Sequence, residues 1–511
     1  MKRTDPSGPT SNTAPIALFI TMGLGIVAFQ LIYAATGFSH YRDQHLGTAL
    51  IYARDGIDLL RPVIVGFNAN NAPTPQEFPL WQAAASLPMR WFGEWFGWAN
   101  MVSLLFFATA LYPVFKLGEA LGGSNTGWWT VALLLAQPLI WVQAGSAGTD
   151  GLSFAAATWF FYCGYRALEK KRWWWTAATA LTGALAATQK LPFMMAAGIA
   201  LGLLLLLRHR RELSAWIAMG VSGIFAAVVF LVWTNYTDAC LALAEFPFVD
   251  LRVSHNPDMV FWYFGDWPYR LNPANWIRGG WRATNALFGS FILLAAPLLV
   301  FGLRRARVDA VVLLVGAVAV TLVFSQLVLQ HQHYFLMYSL PLALLLAPTV
   351  ETAWSSLSQA WKLPQLSLMA LLVAGMLAST LQGLFGMEAL FRDPYHQSAA
   401  KRLEKLTSPE DRLLVVEGGW GGNYLFLSGR DGLSIWNTAF LEDSVNLQRL
   451  RSLGFNKLVL FRESPLLAAL QQNNPGNEGY KRKSSDHAIT DSARQWATLY
   501  EDEDMTIKQL P

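Results

Sequence analysis

Long apolar runs separated by short polar turns dominate the chain. Stretches near the roughly 20 residues needed to cross a bilayer lie at about 15–37, 99–117, 126–144, 150–167, 174–188, 191–208, 213–233, 284–303, 308–328, 334–350 and 365–387. This pattern predicts a mostly α protein built as a polytopic helical bundle of about eleven spans. Three polar or mixed pieces interrupt it: residues 38–98, 234–283 and 388–511. Within the first two, Pro79 to Trp98 and Trp262 to Trp281 mix Trp and Phe with polar residues and predict helices lying in the membrane interface. Together they suggest a lateral vestibule for a lipid-borne substrate.

The last piece has a different texture. Leu413 to Val416 and Lys457 to Leu460 read as short buried strands, Ser398–Leu406 and Ser444–Leu453 as helices, and Gly418-Gly419 and Gly421-Gly422 as turn material. That alternation predicts a small C-terminal α/β extramembrane domain over 388–511, after a transmembrane domain over 1–387. From about Asn473 the sequence turns polar and reads as partly disordered.

Charge fixes an orientation. Lys2 and Arg3; Lys116; Arg166, Lys170, Lys171 and Arg172; Arg208, Arg210 and Arg211; Arg304, Arg305 and Arg307; and Lys362 fall on one side if every span alternates. By the positive-inside rule that side is the cytoplasm. The N-terminus is then cytoplasmic, and the two large loops and the C-terminal domain lie outside, as in a bacterial inner-membrane protein with its tail in the periplasm. The first run follows Lys2 and Arg3 without a small-residue cleavage site and reads as a retained span.

Composition agrees with this reading. Apolar residues make up 53% of the 511 and charged residues only 14%, more apolar surface than a soluble core absorbs. A net charge of +4 is too small to suggest a nucleic-acid partner. The two cysteines, Cys163 and Cys240, have no spacing partner and imply neither a disulfide framework nor a thiolate metal site.

Four polar groups at the outer ends of spans need a reason, because ionisable groups there are costly unless paired, hydrated or functional. Asp43, between Arg42 and His45 and followed by Arg54, is a candidate general base; a solvated juxtamembrane salt bridge fits equally. Asp150, after Gly145 to Thr149, fits a helix N-cap, while its outer position keeps acceptor orientation or a metal role open. Lys190 is the only lysine expected outside before the tail and either neutralises a lipid phosphate or snorkels to the interface. His331 and His333 are about 200° apart on a helix, so contact of one with phosphate or sugar fits better than a shared metal. Asp55 and Asp58 are no Asp-x-Asp pair, so no metal signature emerges and a divalent metal stays open. Glu245, Asp250, Arg252, His255, Asp258 and Asp266 are accessory loop charges.

The arrangement resembles the GT-C membrane glycosyltransferases, in particular the lipid A aminoarabinose transferases and protein O-mannosyltransferases. The likeness runs from an Asp after the first span through Gly56 to Pro62, similar to a Gly-Asp-x-x-x-Pro turn, and Glu77 to Leu80, similar to Glu-Lys-Pro-Pro-Leu. It continues with Thr149-Asp150, with Thr188 to Pro192 against Thr-Lys-Gly-Pro, and with His333-Tyr334 before Leu340-Pro341 against a late Tyr-x-x-Pro span.

The resemblance implies inverting transfer of a sugar from a polyprenyl phosphate to a lipid, glycan or protein acceptor. Asp43 would be the first-loop carboxylate near the reacting centre and Asp150 the second acidic site. Lys190, His331 and His333 would hold the donor phosphate, and His45, Glu77 and Tyr334 would line the vestibule. One departure matters: Phe78 stands where the family has a phosphate-contacting lysine, so Lys190, Arg42 or Arg54 must substitute. A transporter or flippase of lipid-linked saccharides is the competing class. Such proteins carry repeats and midplane charges, whereas here the ionisable groups gather at one face and no repeat is visible.

Overall fold

The computed structural model describes residues 13–35, 43–253, 255–305, 308–360, 365–385, 394–416, 423–435, 438–461, 490–502 and 505–511. In chain order the first helices are α1 (Thr13–Ala35), α2 (Asp43–Asp55), α3 (Leu80–Phe92), α4 (Gly97–Thr109), α5 (Leu111–Gly122), α6 (Ser124–Leu135) and α7 (Pro138–Gln143). Next come α8 (Asp150–Lys170), α9 (Trp173–Gln189), α10 (Leu191–Arg208), α11 (Leu213–Leu241), α12 (Pro257–Phe264), α13 (Trp267–Leu271) and α14 (Pro273–Phe288). The membrane part closes with α15 (Ile292–Arg305), α16 (Val308–Val323), α17 (Ser325–Gln330), α18 (Leu336–Ala360) and α19 (Gln365–Phe385). The tail holds α20 (Pro394–Leu406), β1 (Arg412–Val416), α21 (Asn423–Ser428), β2 (Asp431–Ile435), α22 (Ser444–Ser452), β3 (Phe455–Phe461), β4 (Thr498–Glu501) and β5 (Met505–Gln509).

Within the described residues, each apolar run read from the sequence is mostly helical. Five helical stretches among the described residues are long and apolar enough to cross a membrane on their own: Thr13–Ile32, Gly97–Gly122, Leu191–Arg208, Leu213–Leu241 and Gln332–Leu357. The others carry Thr, Gln, Trp or charges that dilute their hydropathy, or break early, as α6 does two residues before α7.

The chain forms two compact units. The first comprises residues 1–36, 99–233 and 257–390. Here α8 packs along α9, α10 along α16 and α8, and α18 along α6, α15 and α16. The contact of α10 with α16 needs a glycine: a Cβ on Gly316 would collide with the Ala196 carbonyl, so the two backbones approach as in small-residue membrane interfaces. At the turn between α8 and α9, Lys171 takes the left-handed conformation (φ 52°) and its N–H caps the Ala167 carbonyl at 3.0 Å.

The second unit comprises residues 37–98, 234–256 and 391–511, so the first segment expected as an outer loop and the start of the second group with the tail, whereas residues 257–283 of the second belong to the first unit. Its centre is a five-stranded sheet of order β2-β1-β3-β5-β4, parallel across β2, β1 and β3 and antiparallel from β3 onward. Alternation sorts the strands onto two cores: Leu414, Val416, Leu458 and Leu460 face one, Leu413, Val415, Val459 and Phe461 the other. β1, β3, α20 and α22 match the sequence reading, whereas the parallel edge strand β2 was not expected. β4 and β5 lie in the polar tail where no strand was expected.

The outer edge of this sheet is covered by the chain's own early segment. Gly66 bridges Leu433 in parallel, and the Ser434 N–H donates to the Gly66 carbonyl at 2.8 Å. Ala69 is buried in the first core and Val65 packs on the second. Helix α2 lies against α3 and α21, with Gly47 facing Val65 and Phe426.

Candidate functional site

In the membrane unit, the polar site grows from two helix breaks. The first separates α9 from α10. Pro192 in the first turn of α10 needs no N–H partner, and Lys190 before it is extended (φ −148°, ψ 102°), which ends α9 and turns the lysine aside. The second separates α17 from α18. His331 is extended there, and a single 3₁₀ turn over Gln332–Phe335 carries His333 and Tyr334.

Lys190 Nζ lies 2.6 Å from Asp150 Oδ1, with only 11% of the lysine side chain and 3% of the aspartate exposed. The ammonium also sits 5.2 Å from the centroid of the Tyr334 ring, a cation–π contact. Tyr334 in turn packs on Phe193 at 6.0 Å and on His333 at 4.4 Å. His333 is 5.6 Å from His331, and Trp262 of α12 covers His331 at 4.9 Å. The Ser325 hydroxyl fixes α12 beside α17 by donating to the Phe264 carbonyl at 2.8 Å.

Four of the residues expected from sequence, Asp150, Lys190, His333 and Tyr334, thus form one continuous contact chain, and His331 extends it. Asp150 is the first residue of α8 rather than its N-cap; Thr149 holds that position without a side-chain bond. Its carboxylate stands at the positive end of the helix dipole with Lys190 as counter-charge. Lys190 is drawn inward to that carboxylate instead of reaching outward along the interface.

The electrostatics of His331 follow from its place. Burial first, then the positive charges of Lys190 and Arg282, push its pKa down to about 4, against a smaller opposing pull from Asp150. The imidazole is therefore neutral near pH 7 and acts as a hydrogen-bonding group rather than a cation.

The second unit holds another polar group. His45 on α2 is buried, with Nδ1 3.0 Å from Gln82 Nε2 on α3 and Nε2 3.9 Å from Glu77 Oε2. Nδ1 accepts from the Gln82 amide, which leaves the ring proton on Nε2, toward Glu77. Trp81 closes edge-on over the imidazole at 6.3 Å. His45 and Glu77, both expected from sequence, are brought together here. Arg54 is not part of this group: its guanidinium forms a two-pronged pair with Glu94, each bond 2.7 Å, on a half-exposed surface. Asp43 begins α2, but its side chain lies outside the described residues, as does Arg42.

Three participants were missed in the sequence: Gln82, Trp262 and Arg282. Gln82 did carry a signal, as the one amide inside the apolar run Leu80 to Ala85. The described residues contain no group of three or more His, Cys, Asp or Glu arranged to hold a metal ion.

The comparisons with known proteins agree on the fold of this helical bundle and small sheet unit. Residues 75–234, which include Glu77, Asp150 and Lys190, match the model of the dolichyl-phosphate-mannose-protein mannosyltransferase family. The structure is similar to that of ArnT from Cupriavidus metallidurans bound to undecaprenyl phosphate, with a TM-score of 0.63 at 14% identity over 97% of this chain and 98% of that one. The apo form of the same protein gives 0.60 at 13% identity over 92% and 93%. The oligosaccharyltransferase AglB from Archaeoglobus fulgidus, in complex with an inhibitory peptide and a dolichol-phosphate, gives 0.53 at 10% identity over 87% of this chain and 69% of that one. No curated protein matches significantly in sequence. The fold is therefore ArnT-like, and the chain is a helical membrane protein.

Proposed function

We propose that this protein is an inverting glycosyltransferase that moves a sugar from a polyprenyl-phosphate donor to an acceptor at the outer face of a bacterial inner membrane. The observation that carries this reading is the buried Asp150–Lys190 pair at the break between spans, in a chain whose fold matches an undecaprenyl-phosphate-bound relative along nearly its whole length. A buried ion pair contributes little net stability, because desolvating both charges offsets their attraction. Its retention at a helix break makes sense if an anion joins it.

In this mechanism Lys190 takes the phosphate of the donor. Its ammonium gains a second, stronger anion as the glycosidic bond breaks and charge builds on the leaving phosphate. Asp150 orients the lysine through their 2.6 Å contact. His331 and His333 offer ring nitrogens to the sugar or phosphate, and the Tyr334 ring holds Lys190 in place. Asp43, at the start of α2, takes the proton from the acceptor hydroxyl as its oxygen forms the new bond to the anomeric carbon. The bond from that carbon to phosphate oxygen breaks, and polyprenyl phosphate leaves. Attack opposite the leaving group inverts the configuration. His45 and Glu77 contact the lipid-borne substrate, and Trp and Phe residues of the outer segments hold the prenyl chain.

The test is a panel of polyprenyl-phosphate sugars, each labelled in the sugar, offered to the purified protein in nanodiscs with cell-envelope extract as acceptor. Label covalently attached to an acceptor supports transfer. Label that crosses the bilayer still attached to its lipid, with no transfer, would overturn the enzyme reading in favour of a flippase.

A further inference from the structure

We propose that the end of α8 opposite the Asp150–Lys190 pair carries a binding site for an anionic phospholipid headgroup, centred on Arg166. This site is independent of the transferase reading and needs only that the chain spans a membrane. Arg166 lies 16 residues beyond Asp150 on the same helix, a rise of about 24 Å, so it stands near the other membrane face. On the proposed orientation that is the cytoplasmic leaflet.

The guanidinium is held between two rings, 6.0 Å from the Tyr162 centroid one turn back and 5.5 Å from that of Trp175 at the start of α9. Rings of this kind orient a cation but give it no lone pair to bond. Arg166 is half-buried and its Nε is enclosed with no hydrogen-bond partner. Among the described residues Arg166 makes neither a hydrogen bond nor an ion pair, and the exposed Glu169 one turn on does not reach it. The two terminal nitrogens of an arginine fixed in place by aromatic walls are prepared for a two-pronged phosphate.

The surroundings select a lipid over a soluble anion. Tyr112 and Trp174 are about half exposed and Trp173 is 79% exposed, beside Trp159, which stacks on Tyr112 at 5.8 Å. Exposed Trp and Tyr at the end of a span belong at headgroup depth. Lys170, Lys171 and Arg172 follow in sequence; Lys171 is paired with Glu212, whereas Lys170 and Arg172 add positive charge at the rim. A headgroup phosphate on Arg166, with its acyl chains along the aromatic wall, satisfies both the charge and the exposed rings.

The test uses the full-length protein, delipidated in detergent and titrated with phosphatidylglycerol or phosphatidylcholine of matched acyl chains, with bound lipid counted by native mass spectrometry. The wild type is expected to retain phosphatidylglycerol preferentially. Arg166→Gln is expected to weaken that retention about fivefold and leave phosphatidylcholine unchanged, with Arg166→Lys between the two. Trp175→Leu, which keeps the charge and removes a wall, provides a second variant if Arg166→Gln fails to fold. Equal retention of the two lipids by the wild type, or phosphatidylglycerol held equally by the wild type and the folded variants, would overturn the site. Displacement of the lipid by millimolar inorganic phosphate would overturn the lipid assignment in favour of a soluble anion.

Discussion

At the residue scale, the Asp150–Lys190 pair can be divided into a structural and a chemical part. Lys190→Gln strands a buried carboxylate, which costs about 3–5 kcal/mol and removes the group that meets the leaving phosphate. Sugar transfer should fall by about 100-fold or more. The double variant Asp150→Asn/Lys190→Gln removes both charges and should recover most of the thermal stability while staying inactive. Thermal unfolding and label transfer on the same preparations separate the two parts; an active double variant would remove the pair from the chemistry.

A second residue-scale prediction concerns pH. Burial raises the pKa of Asp411, but bonds from the Lys457 ammonium, from Ser408 N–H at 2.7 Å and from Asn456 Nδ2 at 2.8 Å outweigh it, so the carboxyl titrates below its usual range. A lowered folded-state pKa contributes stability that is complete above the unfolded value and is lost as pH falls through the folded one. The sheet unit should therefore weaken as pH drops below about 4. Asp411→Asn should lose about 1–3 kcal/mol at neutral pH and show a flatter acid limb in denaturant melts. An acid limb as steep as the wild type's would contradict the assignment.

Much of the candidate site could be read from the sequence because ionisable residues beside apolar runs are rare and conspicuous. Asp150, Lys190 and Tyr334 stood out for that reason, although nothing in their spacing said that they touch. Arg54 stood out equally, yet its partner Glu94 lies 40 residues away, and no local pattern announces such a pair. Asp43 carries the largest share of the proposed chemistry among residues whose side chains lie outside the described ones.

At the element scale, helix boundaries in the membrane unit were legible from hydropathy and from Pro192. Strands β4 and β5 were not, since Thr498 to Gln509 alternates weakly and is charged. Their register comes from β3, where Val459 pairs Ile507. The element with most consequence is α2, because Asp43 opens it. Phe426 of α21 is 7% exposed, contacts Phe96 at 5.7 Å and faces Gly47 on α2. Phe426→Ala should cost about 3–5 kcal/mol, and if α2 carries the base, kcat should fall more than KM rises. A change confined to stability would detach α21 from the reaction.

At the scale of the whole molecule, the tail is continuous in structure with segments hundreds of residues earlier. Gly66 pairs with β2, and Arg449 of α22 grips Glu245 with two bonds of 2.8 Å. Ile64 and Phe67 are buried with Leu241 and Phe248 in a further core of the same unit. A chain ending at residue 390 should thus expose the 37–98 segment. Limited proteolysis should cut there at least about tenfold faster than in the full chain, and an equal rate would mean that the segment folds without the tail. Sequence alone divides the chain at residue 387 because composition changes there; the pairing of residues 65–69 with the sheet depends on contacts of long sequence separation, which composition does not encode.

The central claim is sugar transfer with Asp43 as the base, and the most direct measurement follows label from an accepted polyprenyl-phosphate sugar in nanodiscs, wild type beside Asp43→Asn. The wild type should label the acceptor and release polyprenyl phosphate, and the variant should do both at least about 100-fold more slowly while still binding the donor. Equal turnover by Asp43→Asn would contradict it.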